Sequence, residues 1–566
     1  MARAKSGAGA RSVRRQVLGD VVRGFVATAA QGPLRRIRHG WSPTAPMVAV
    51  PNPLRAGNVR RGESLLAGKF TVAGRIIENE ASEALALAPP TADWASYIHG
   101  FAWLRDLAAI EGSEAESMAR LLVDSWVRMN VRSKAWTLPL ASTRLIALLS
   151  DAPLLLGGAD RSFYTRFRYM IADHVAYLRN GVWLGLASSS RDEILALVAI
   201  TQAHLVIDPL PASLAYFGKR LERVLGRDLY TDGGHVSRSP EAVLELLITL
   251  IPLRDLYVAR EVPPPSGLLL AVERMLPMLR FFSHPDGALV MMNGMGPTDS
   301  ETLANVLASD DVGGRPALEA QGSGYQRLEA PGGALILDCG FTPQARNAAE
   351  AHAGTLAFEF SAQGERLVVN CGIPAYQRAP WRHFTRRTAA HSTLTVDDRT
   401  SSRIIRFAGR EILDSGPTHI PVVRAKDGEI TMVSASHDGY AKLFGLIHQR
   451  TLWLAQDGRR LDGEDRLEAL NAWSGRNTHP FAIRFHLHPD IRPSLADTGD
   501  TAILATPGGS YWAFRVPGGR VEIEESAFLG EIGRPPRSAQ LVIRGESGRD
   551  VAISWFFALL KAGSAG

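Results

Sequence analysis

Apolar residues recur at helical spacing through most of the first half of the chain. From residue 94 to residue 282, runs with a period of 3.6 alternate with short segments rich in Gly, Pro or Asp. In one such run, Val243, Leu247 and Leu250 share a single helix face. A series of helical hairpins of this kind can curve into a toroid, and the concave side of a toroid is a groove. The pattern therefore predicts an N-terminal (α/α) toroid.

The period changes from 3.6 to 2 after about residue 322. Leu356, Phe358 and Phe360 alternate with neighbours that point the other way, and a turn at residues 363–365 leads into the next run. Similar alternating runs follow almost to residue 560, which predicts a large antiparallel β-sandwich. We predict three parts: a flexible basic arm at residues 1–55, the toroid at residues 56–310 and the sandwich at residues 311–566.

Positive charge is concentrated at the N-terminus. The formal net charge is +6, and residues 1–40 hold nine Lys or Arg residues against one acid, Asp20, which gives +8. Subtracting +8 from +6 leaves about −2 for the remainder, so the folded body is not basic. Basic arms are usually solvated tails, and the sequence predicts no nucleic-acid partner.

Targeting signals are weak in this sequence. Residues 17–30 follow Arg14 and Arg15 like an export signal, but Asp20 and Arg23 interrupt the apolar run, so a cleaved signal is not predicted. No run reaches the roughly 18 apolar residues of a membrane-spanning helix. The two cysteines, Cys339 and Cys371, form at most one bridge and do not indicate a compartment.

The richest polar cluster lies between residues 352 and 391. Its members are His352, Asn370, Tyr376, Arg378, Trp381, Arg382, His383, Arg386, Arg387 and His391. Elimination from a uronate polymer needs a cation or amide to neutralise the carboxylate, a base to take the C5 proton and an acid to protonate O4. Tyr, His and Arg side chains supply these functions without a covalent nucleophile. An exposed loop with solvated charges is the alternative interpretation of the same composition.

Three ordered motifs in this region resemble the heparinase II/III-like family of polysaccharide lyases. They are Ala351-His-Ala-Gly-Thr-Leu-Ala-Phe-Glu-Phe, Arg366-Leu-Val-Val-Asn-Cys-Gly followed by Tyr376, and Trp381-Arg382 followed by Arg386-Arg-Thr-Ala-Ala-His391-Ser-Thr. Further matches extend from about residue 60 to residue 560. The resemblance implies the toroid-plus-sandwich fold, which the periodicity indicates independently.

The resemblance also implies roles for individual residues. It makes Tyr376, His235, His352, His391 and Arg386 the predicted catalytic residues. Substrate-binding roles are predicted for Arg382, Arg238, Trp381 and His99. His352, Asn370 and His391 are the predicted metal ligands, and the metal they imply is one zinc ion. We expect His352 and His391 each to begin a strand.

The chain departs from the family pattern at several of these positions. The position of the family's toroid tyrosine is Ala242, and Ser237 replaces a glutamate. In the sandwich, Gly354 replaces an aspartate, Glu350 a histidine and Asn370 the aspartate that binds metal. Asn is a poorer zinc ligand than Asp because it carries no negative charge.

We therefore predict a polysaccharide lyase that cleaves an acidic polysaccharide by β-elimination between toroid and sandwich. The first alternative is a saccharide-binding protein without activity on the same fold, because the toroid tyrosine is missing. A glycoside hydrolase is the second, but it needs paired carboxylates that the sequence does not single out. The resemblance favours the cell envelope or periplasm, with the cytoplasm as the alternative. The sequence leaves the polysaccharide and the oligomeric state open.

Overall fold

A computed structural model describes residues 42–72, 75–78, 85, 91–128, 135–310, 313–376, 378–407, 410–472, 474–532 and 537–563. The basic segment at residues 1–40 lies outside this part of the chain. Residues 46–55 of the predicted flexible arm pack on the helical domain instead. The Val48 amide donates to the Val206 carbonyl at 2.8 Å, and the Asp208 amide donates to the Pro46 carbonyl at 3.1 Å.

Helices form the first domain. They are α1 (Val59–Leu66), α2 (Ala92–His99), α3 (Trp103–Ala108), α4 (Ser113–Arg128), α5 (Leu138–Ser150), α6 (Ala152–Leu156), α7 (Arg161–Trp183), α8 (Ser190–Leu205), α9 (Leu214–Asp228), α10 (Pro240–Ala259), α11 (Ser266–Phe281) and α12 (Ser300–Ala308). A two-stranded sheet, β1 (Lys69–Val72) with β2 (Arg75–Glu78), lies beside α1. Among the described residues, no helix has both the length and the apolar character needed to cross a membrane.

Local sequence explains where these helices begin. The side chains of Thr137, Asp160 and Ser189 cap α5, α7 and α8 by accepting hydrogen bonds from backbone amides of the first turn. At α8, Asp192 also bonds back to the Ser189 amide, which completes a capping box. Helix α8 packs against α5, α7, α9 and α10 and is buried along most of its length. It is the central helix of the domain.

Strands form the second domain, beginning at Glu319. They are β3 (Glu319–Ala320), β4 (Tyr325–Ala330), β5 (Gly333–Asp338), β6 (Phe358–Ala362), β7 (Glu365–Val369), β8 (Leu394–Val396), β9 (Arg403–Phe407), β10 (Arg410–Ser415), β11 (Val422–Asp427), β12 (Ile430–His437), β13 (Leu446–Ala455), β14 (Arg460–Ala469), β15 (Pro480–Leu487), β16 (Arg492–Leu495), β17 (Thr501–Ala505), β18 (Tyr511–Arg515), β19 (Glu522–Ser526), β20 (Ser538–Glu546) and β21 (Asp550–Lys561). Short helices α13 (Arg378–Thr385) and α14 (Ala441–Phe444) interrupt the series.

Two large antiparallel sheets contain most of these strands. One has the order β11-β12-β13-β14-β21-β18-β17-β16, and the other β19-β20-β15-β7-β6-β5-β4-β3, with β8 also paired to β15. Aromatic side chains fill the space between the sheets, and the Phe485 and Trp555 ring centroids lie 4.7 Å apart. The prediction of a helical region followed by a large antiparallel sandwich is confirmed.

A buried arginine inside the sandwich fixes the loops that lead to the polar cluster. Arg450 forms an ion pair with Asp465, with two contacts of 2.9 Å. Its remaining terminal nitrogen donates to the backbone carbonyls of Leu356 at 2.9 Å and Ser392 at 2.7 Å. Because Ser392 follows His391 directly, the Arg450–Asp465 pair fixes the backbone next to the predicted site.

Buried polar contacts also join the two domains. Arg238, which precedes α10, is paired with Asp338 at the end of β5, and the Tyr325 hydroxyl donates to the Arg238 carbonyl at 2.7 Å. Asn293, which follows α11, donates to Asp338 at 3.2 Å. Removing one partner would leave a buried charge uncompensated, so this seam fixes how the domains meet.

Candidate functional site

His352 and His391 form a hydrogen-bonded pair of buried rings. Nδ1 of His352 lies 3.0 Å from Nε2 of His391, and Nδ1 of His391 lies 2.8 Å from the Arg387 carbonyl oxygen. Since a carbonyl oxygen only accepts, His391 carries its proton on Nδ1 and accepts at Nε2 from His352. We assign this tautomer from the hydrogen-bond network. Nε2 of His352 is therefore left with a free lone pair.

That lone pair is buried and has no hydrogen-bond partner among the residues that the structure describes. Burial lowers the pKa of His352 well below its ordinary value, and His391 and the nearby arginines lower it further. The ring is neutral at pH 7 as a result. A neutral imidazole with one unsatisfied nitrogen can take a proton from a ligand or bind a metal ion.

The loops around this pair differ in detail from the sequence prediction. His352 lies in the loop before β6, and His391 follows a short helical turn at residues 388–390, before β8. The His352 amide donates to Asn293 of the helical domain at 3.1 Å. A Cβ atom at Gly354 would lie 2.9 Å from a carbon of the His391 ring. The glycine that replaces the family aspartate therefore makes room for His391.

Arg382 and Glu350 provide further unsatisfied polar atoms. They form an ion pair of 2.6 Å through the Arg382 Nη2 and Glu350 Oε1 atoms. The Arg382 Nε and the Glu350 Oε2 are buried and have no partner in the described part of the chain. Arg382 is close enough to His352 for its charge to lower the pKa of that ring. We call His352, His391, Glu350 and Arg382 the His352 cluster.

Arg378 connects the edge of the His352 cluster to the helical domain. Its guanidinium donates two hydrogen bonds to Glu241, of 2.9 and 2.6 Å. Glu241 lies in the first turn of α10, next to Ala242. Ala242 is buried, so no phenol from this position reaches the seam.

Tyr376 lies just before α13, on the loop between β7 and that helix. It is 36% exposed, and its hydroxyl makes no hydrogen bond with any described residue. Trp381 is half-buried on α13, where it packs edge-on against Phe384. Tyr376 and Trp381 lie on the same short segment of the sequence as Arg378 and Arg382.

Arg386 has a structural role. It is buried and donates to the backbone carbonyls of Ala351 at 2.8 Å, Glu411 at 2.8 Å and Ala348 at 2.9 Å. Burial lowers its pKa to about 10. Since all its nitrogens have partners on the backbone, the predicted catalytic role does not fit this geometry.

Two further predicted residues belong to the seam between the domains. His235 is buried between Ser190, whose hydroxyl lies 2.6 Å from Nε2, and Ser237, whose hydroxyl lies 2.7 Å from Nδ1. Burial lowers the pKa of His235 to about 3. Arg238 donates to Asp338 and to the carbonyls of Ser323 and Phe341. Neither side chain has a free nitrogen for a substrate.

His99 lies in the core of the helical domain. Its Nδ1 accepts a hydrogen bond from the Trp126 indole at 3.1 Å, and the ring is buried. Burial lowers the pKa of His99. The predicted role in substrate binding does not fit this position, because the ring is buried and its Nδ1 is already bonded to Trp126.

The predicted metal ligands do not present a zinc site. The Asn370 side-chain oxygen accepts from the Ser392 amide at 2.9 Å, and its nitrogen donates to Glu359 at 3.1 Å. Both nitrogens of His391 are also engaged, so His352 Nε2 is the one open donor atom of the three residues. Structural and catalytic zinc sites need at least three protein ligands.

Some residues of the site had no clear signal in the sequence. Glu350 appears in the sequence only as a departure from the family histidine, and Arg378 only as one cation among several. Glu241 precedes the missing tyrosine and looks like an ordinary first-turn acid of a helix. Their partners come from segments 32 to 137 residues away. Only the folded chain brings them together.

Comparison with known proteins supports this assignment of the fold. A family model described as "Heparinase II/III-like, C-terminal" matches residues 312–556. A solved structure of heparinase III superimposes with a TM-score of 0.70 at 13% identity, over 96% of this chain and 90% of that one. Heparan sulfate lyase HepC from Pedobacter heparinus gives 0.59 at 14% identity, over 98% and 92%. At such identities the likeness shows the fold alone.

A curated protein is similar over almost its whole length. The FtsZ-localized protein C of Caulobacter vibrioides is 29% identical over 567 residues, which cover 96% of this chain and 97% of that protein. The motifs of residues 351–393 predicted the family, and the match to its C-terminal domain confirms that prediction. The chain thus has a heparinase II/III-like C-terminal domain at residues 312–556, on the toroid-plus-sandwich fold of heparinase III.

Proposed function

We propose that the protein binds an acidic polysaccharide at the His352 cluster and cleaves it by β-elimination. The observation that carries the proposal is the free lone pair on Nε2 of His352, a buried atom without a partner among the described residues. The Nε–H of Arg382, whose charge acts on His352, is likewise buried and unpaired there. Buried polar atoms without partners are rare in proteins. A base and a cationic donor left open in one cluster suit a ligand that brings both an acidic proton and a carboxylate.

The chemical step uses three side chains. The Arg382 guanidinium neutralises the uronate carboxylate, which makes the C5 proton easier to remove. Nε2 of His352 takes that proton, and the electron pair of the C5–H bond forms the C4–C5 double bond. The C4–O4 bond breaks, and O4 takes a proton from the Tyr376 hydroxyl. The step as written needs no metal ion, because Arg382, His352 and Tyr376 supply the cation, the base and the acid.

Ligand binding would also strengthen the base. In the protein alone, the positive charge of Arg382 lowers the pKa of His352. A bound carboxylate offsets that charge, so the pKa of His352 rises when a uronate binds. The site therefore gains basicity from the substrate it acts on.

A binding protein without activity is the second candidate function, and Ala242 favours it. This residue replaces the tyrosine that the family pattern supplies from the toroid, so a lyase of this chain depends on the sandwich alone for both proton transfers. The similarity to an FtsZ-localized protein is compatible with a binding role. The predicted location in the cell envelope stays a prediction.

One assay separates the two functions. The protein is incubated with heparan sulfate, alginate or hyaluronan, and the ultraviolet absorbance of newly formed unsaturated uronates is followed over time. Lyase activity gives rising absorbance with at least one polymer and none with His352→Gln. Binding by affinity electrophoresis without any rise in absorbance would reject the lyase and leave the binding protein. Neither binding nor absorbance would reject both.

A further inference from the structure

A second groove lies on the seam between the two domains. Its main cavity has a volume of about 910 Å³, and the segment 341–346 separates it from an adjoining cavity of about 590 Å³. Helical-domain residues such as Tyr230 and Arg227 line one wall of the main cavity, and sandwich residues such as Phe341 and Arg424 line another. No member of the His352 cluster lines either cavity. We call this feature the Phe341 groove.

Phe341 is an exposed aromatic residue on a backbone that is firmly held. The residue is 55% exposed and lines both cavities. Its carbonyl oxygen accepts a hydrogen bond of 3.2 Å from the buried Arg238 of the helical domain. The preceding Gly340 has no room for a side chain, because a Cβ atom there would lie 2.2 Å from the Arg238 guanidinium. Buried contacts between domains therefore keep this ring at the surface.

Tyr230 provides a second aromatic group in the main cavity. The side chain is half-buried, and burial raises its pKa. Its hydroxyl has no hydrogen-bond partner in the part of the chain that the structure describes. The loop at Gly322 packs directly on it, since a Cβ atom at Gly322 would lie 2.8 Å from the Tyr230 Cβ. A ring with a polar end that is open to the cavity can contact both faces and hydroxyls of a ligand.

The charges around the groove are already paired. Arg227 donates to Asp228 at 2.8 Å, and Arg346 contacts Glu193 at 3.1 Å. Arg424 lies 3.9 Å from the Glu319 carboxylate and donates to the Arg327 carbonyl at 2.9 Å. Amide side chains of Gln321, Gln326 and Gln344 add uncharged polar surface. Such a surface offers hydrogen bonds in several directions but little net charge.

We infer that the Phe341 groove is a second saccharide-binding site, which takes an extended glycan through ring stacking and hydroxyl hydrogen bonds. Sugar rings present C–H faces that stack on Phe341 and Tyr230, and their hydroxyls match the amides and paired guanidinium groups. Two adjoining cavities suit several sugar residues in a row better than one small molecule. That the ligand is a glycan rests on the proposed function, whereas the location of the groove does not.

Binding of heparan sulfate, alginate and hyaluronan to the full chain, measured by affinity electrophoresis, tests this inference. The retained polymer is the one of these three that the unaltered protein binds. We expect Phe341→Ala to weaken binding of the retained polymer about fivefold to tenfold, and Phe341→Tyr to change it less than about twofold. The loss persists in high salt, because stacking is not screened. Tyr216→Ala, which removes an exposed aromatic on α9, is the matched control and binds like the unaltered protein. Circular dichroism checks that each variant folds.

The results also distinguish this inference from the proposed function. If Arg382→Ala weakens binding and Phe341→Ala does not, the groove is rejected and the His352 cluster stands. If Phe341→Ala weakens binding while Arg382→Ala does not and no unsaturated uronate forms, the groove stands and the lyase is rejected. Hydrogen exchange of the unaltered protein gives a second measurement. Amides at residues 339–347 become protected when the retained polymer is added, and unchanged exchange there, or no binding to any of the three polymers, overturns the inference.

Discussion

Arg378 of the sandwich and Glu241 of the toroid form an ion pair with two hydrogen bonds, of 2.6 and 2.9 Å, across the seam between the domains. Both side chains are about three-quarters buried. Such two-point pairs between guanidinium and carboxylate are stronger than single contacts. The pair joins the start of α10 to the helix that holds Arg382, so it positions one side of the His352 cluster.

Breaking this pair should lower the free energy of unfolding. We expect Arg378→Ala or Glu241→Ala to cost about 1–2 kcal/mol in chemical denaturation, and the double variant to cost less than the two single changes together. The exposed Arg460–Asp462 pair is the control, and Arg460→Ala should change the value by less than about 0.5 kcal/mol. Additive effects of the two single changes would contradict coupling across the seam.

Tyr376→Phe tests the proton donor of the proposed elimination. The change removes a hydroxyl that has no partner among the residues the structure describes, so we expect stability within about 0.5 kcal/mol of the unaltered chain. Binding of the cleaved polymer should stay within a few-fold, while the initial rate of unsaturated uronate formation falls by at least about a hundredfold. Undiminished turnover would assign the acid to another group.

Asn370→Asp restores the family residue and should destabilise the protein. The Asn370 amide donates to the buried Glu359 at 3.1 Å, so an aspartate there would place two carboxylates against each other with no donor between them. We expect a loss of about 2–4 kcal/mol, measured by denaturant unfolding. Zinc should not restore it, and elemental analysis should find no stoichiometric zinc in the unaltered protein. Recovery of stability on adding zinc would show that the three predicted ligands form a metal site.

Acid should destabilise the fold through its buried histidines. Burial lowers the pKa of His204 to about 4 and those of His235 and His486 to about 3. In the unfolded chain these groups titrate near about 6.5, so below that pH the unfolded state binds more protons than the folded state. Stability is then lost as the pH falls from about 6.5 towards 3, by up to about 1.4 kcal/mol per pH unit for each ring. The midpoint of urea unfolding as a function of pH measures this, and a midpoint that does not change between pH 7 and pH 5 would contradict the neutral, buried state.

The fold was predictable because periodicity depends on neighbouring residues. Alternation at Leu356, Phe358 and Phe360 places their side chains between two sheets, and no distant residue is needed to see this. Residues 46–55 were assigned to a flexible arm, but Met47, Ala49 and Leu54 pack against the helical core, and backbone pairing also holds the segment, as at Val48 and Val206. Such pairing leaves no pattern in the side chains.

The candidate site was predictable only in part, for a similar reason. Family motifs indicated His352 and His391, and the structure brings Nδ1 of the first ring to 3.0 Å from Nε2 of the second. The same motifs suggested a catalytic Arg386, yet its three backbone partners depend on where residues 348, 351 and 411 lie after folding. The free nitrogen of His352 depends on the Arg387 backbone carbonyl, which fixes the His391 proton on Nδ1. A motif of side chains does not reveal that backbone contact.

The protonation state of the His352 ring tests the central claim most directly. Nitrogen-15 NMR of histidine-labelled protein, with His352→Gln to assign the signals, reports which ring nitrogen holds the proton, before and after the retained polymer is added. We expect Nε2 of His352 to be unprotonated in the free protein at pH 7 and its resonance to move when the polymer binds. A protonated Nε2, or a resonance that does not move on binding, would contradict a base at this position.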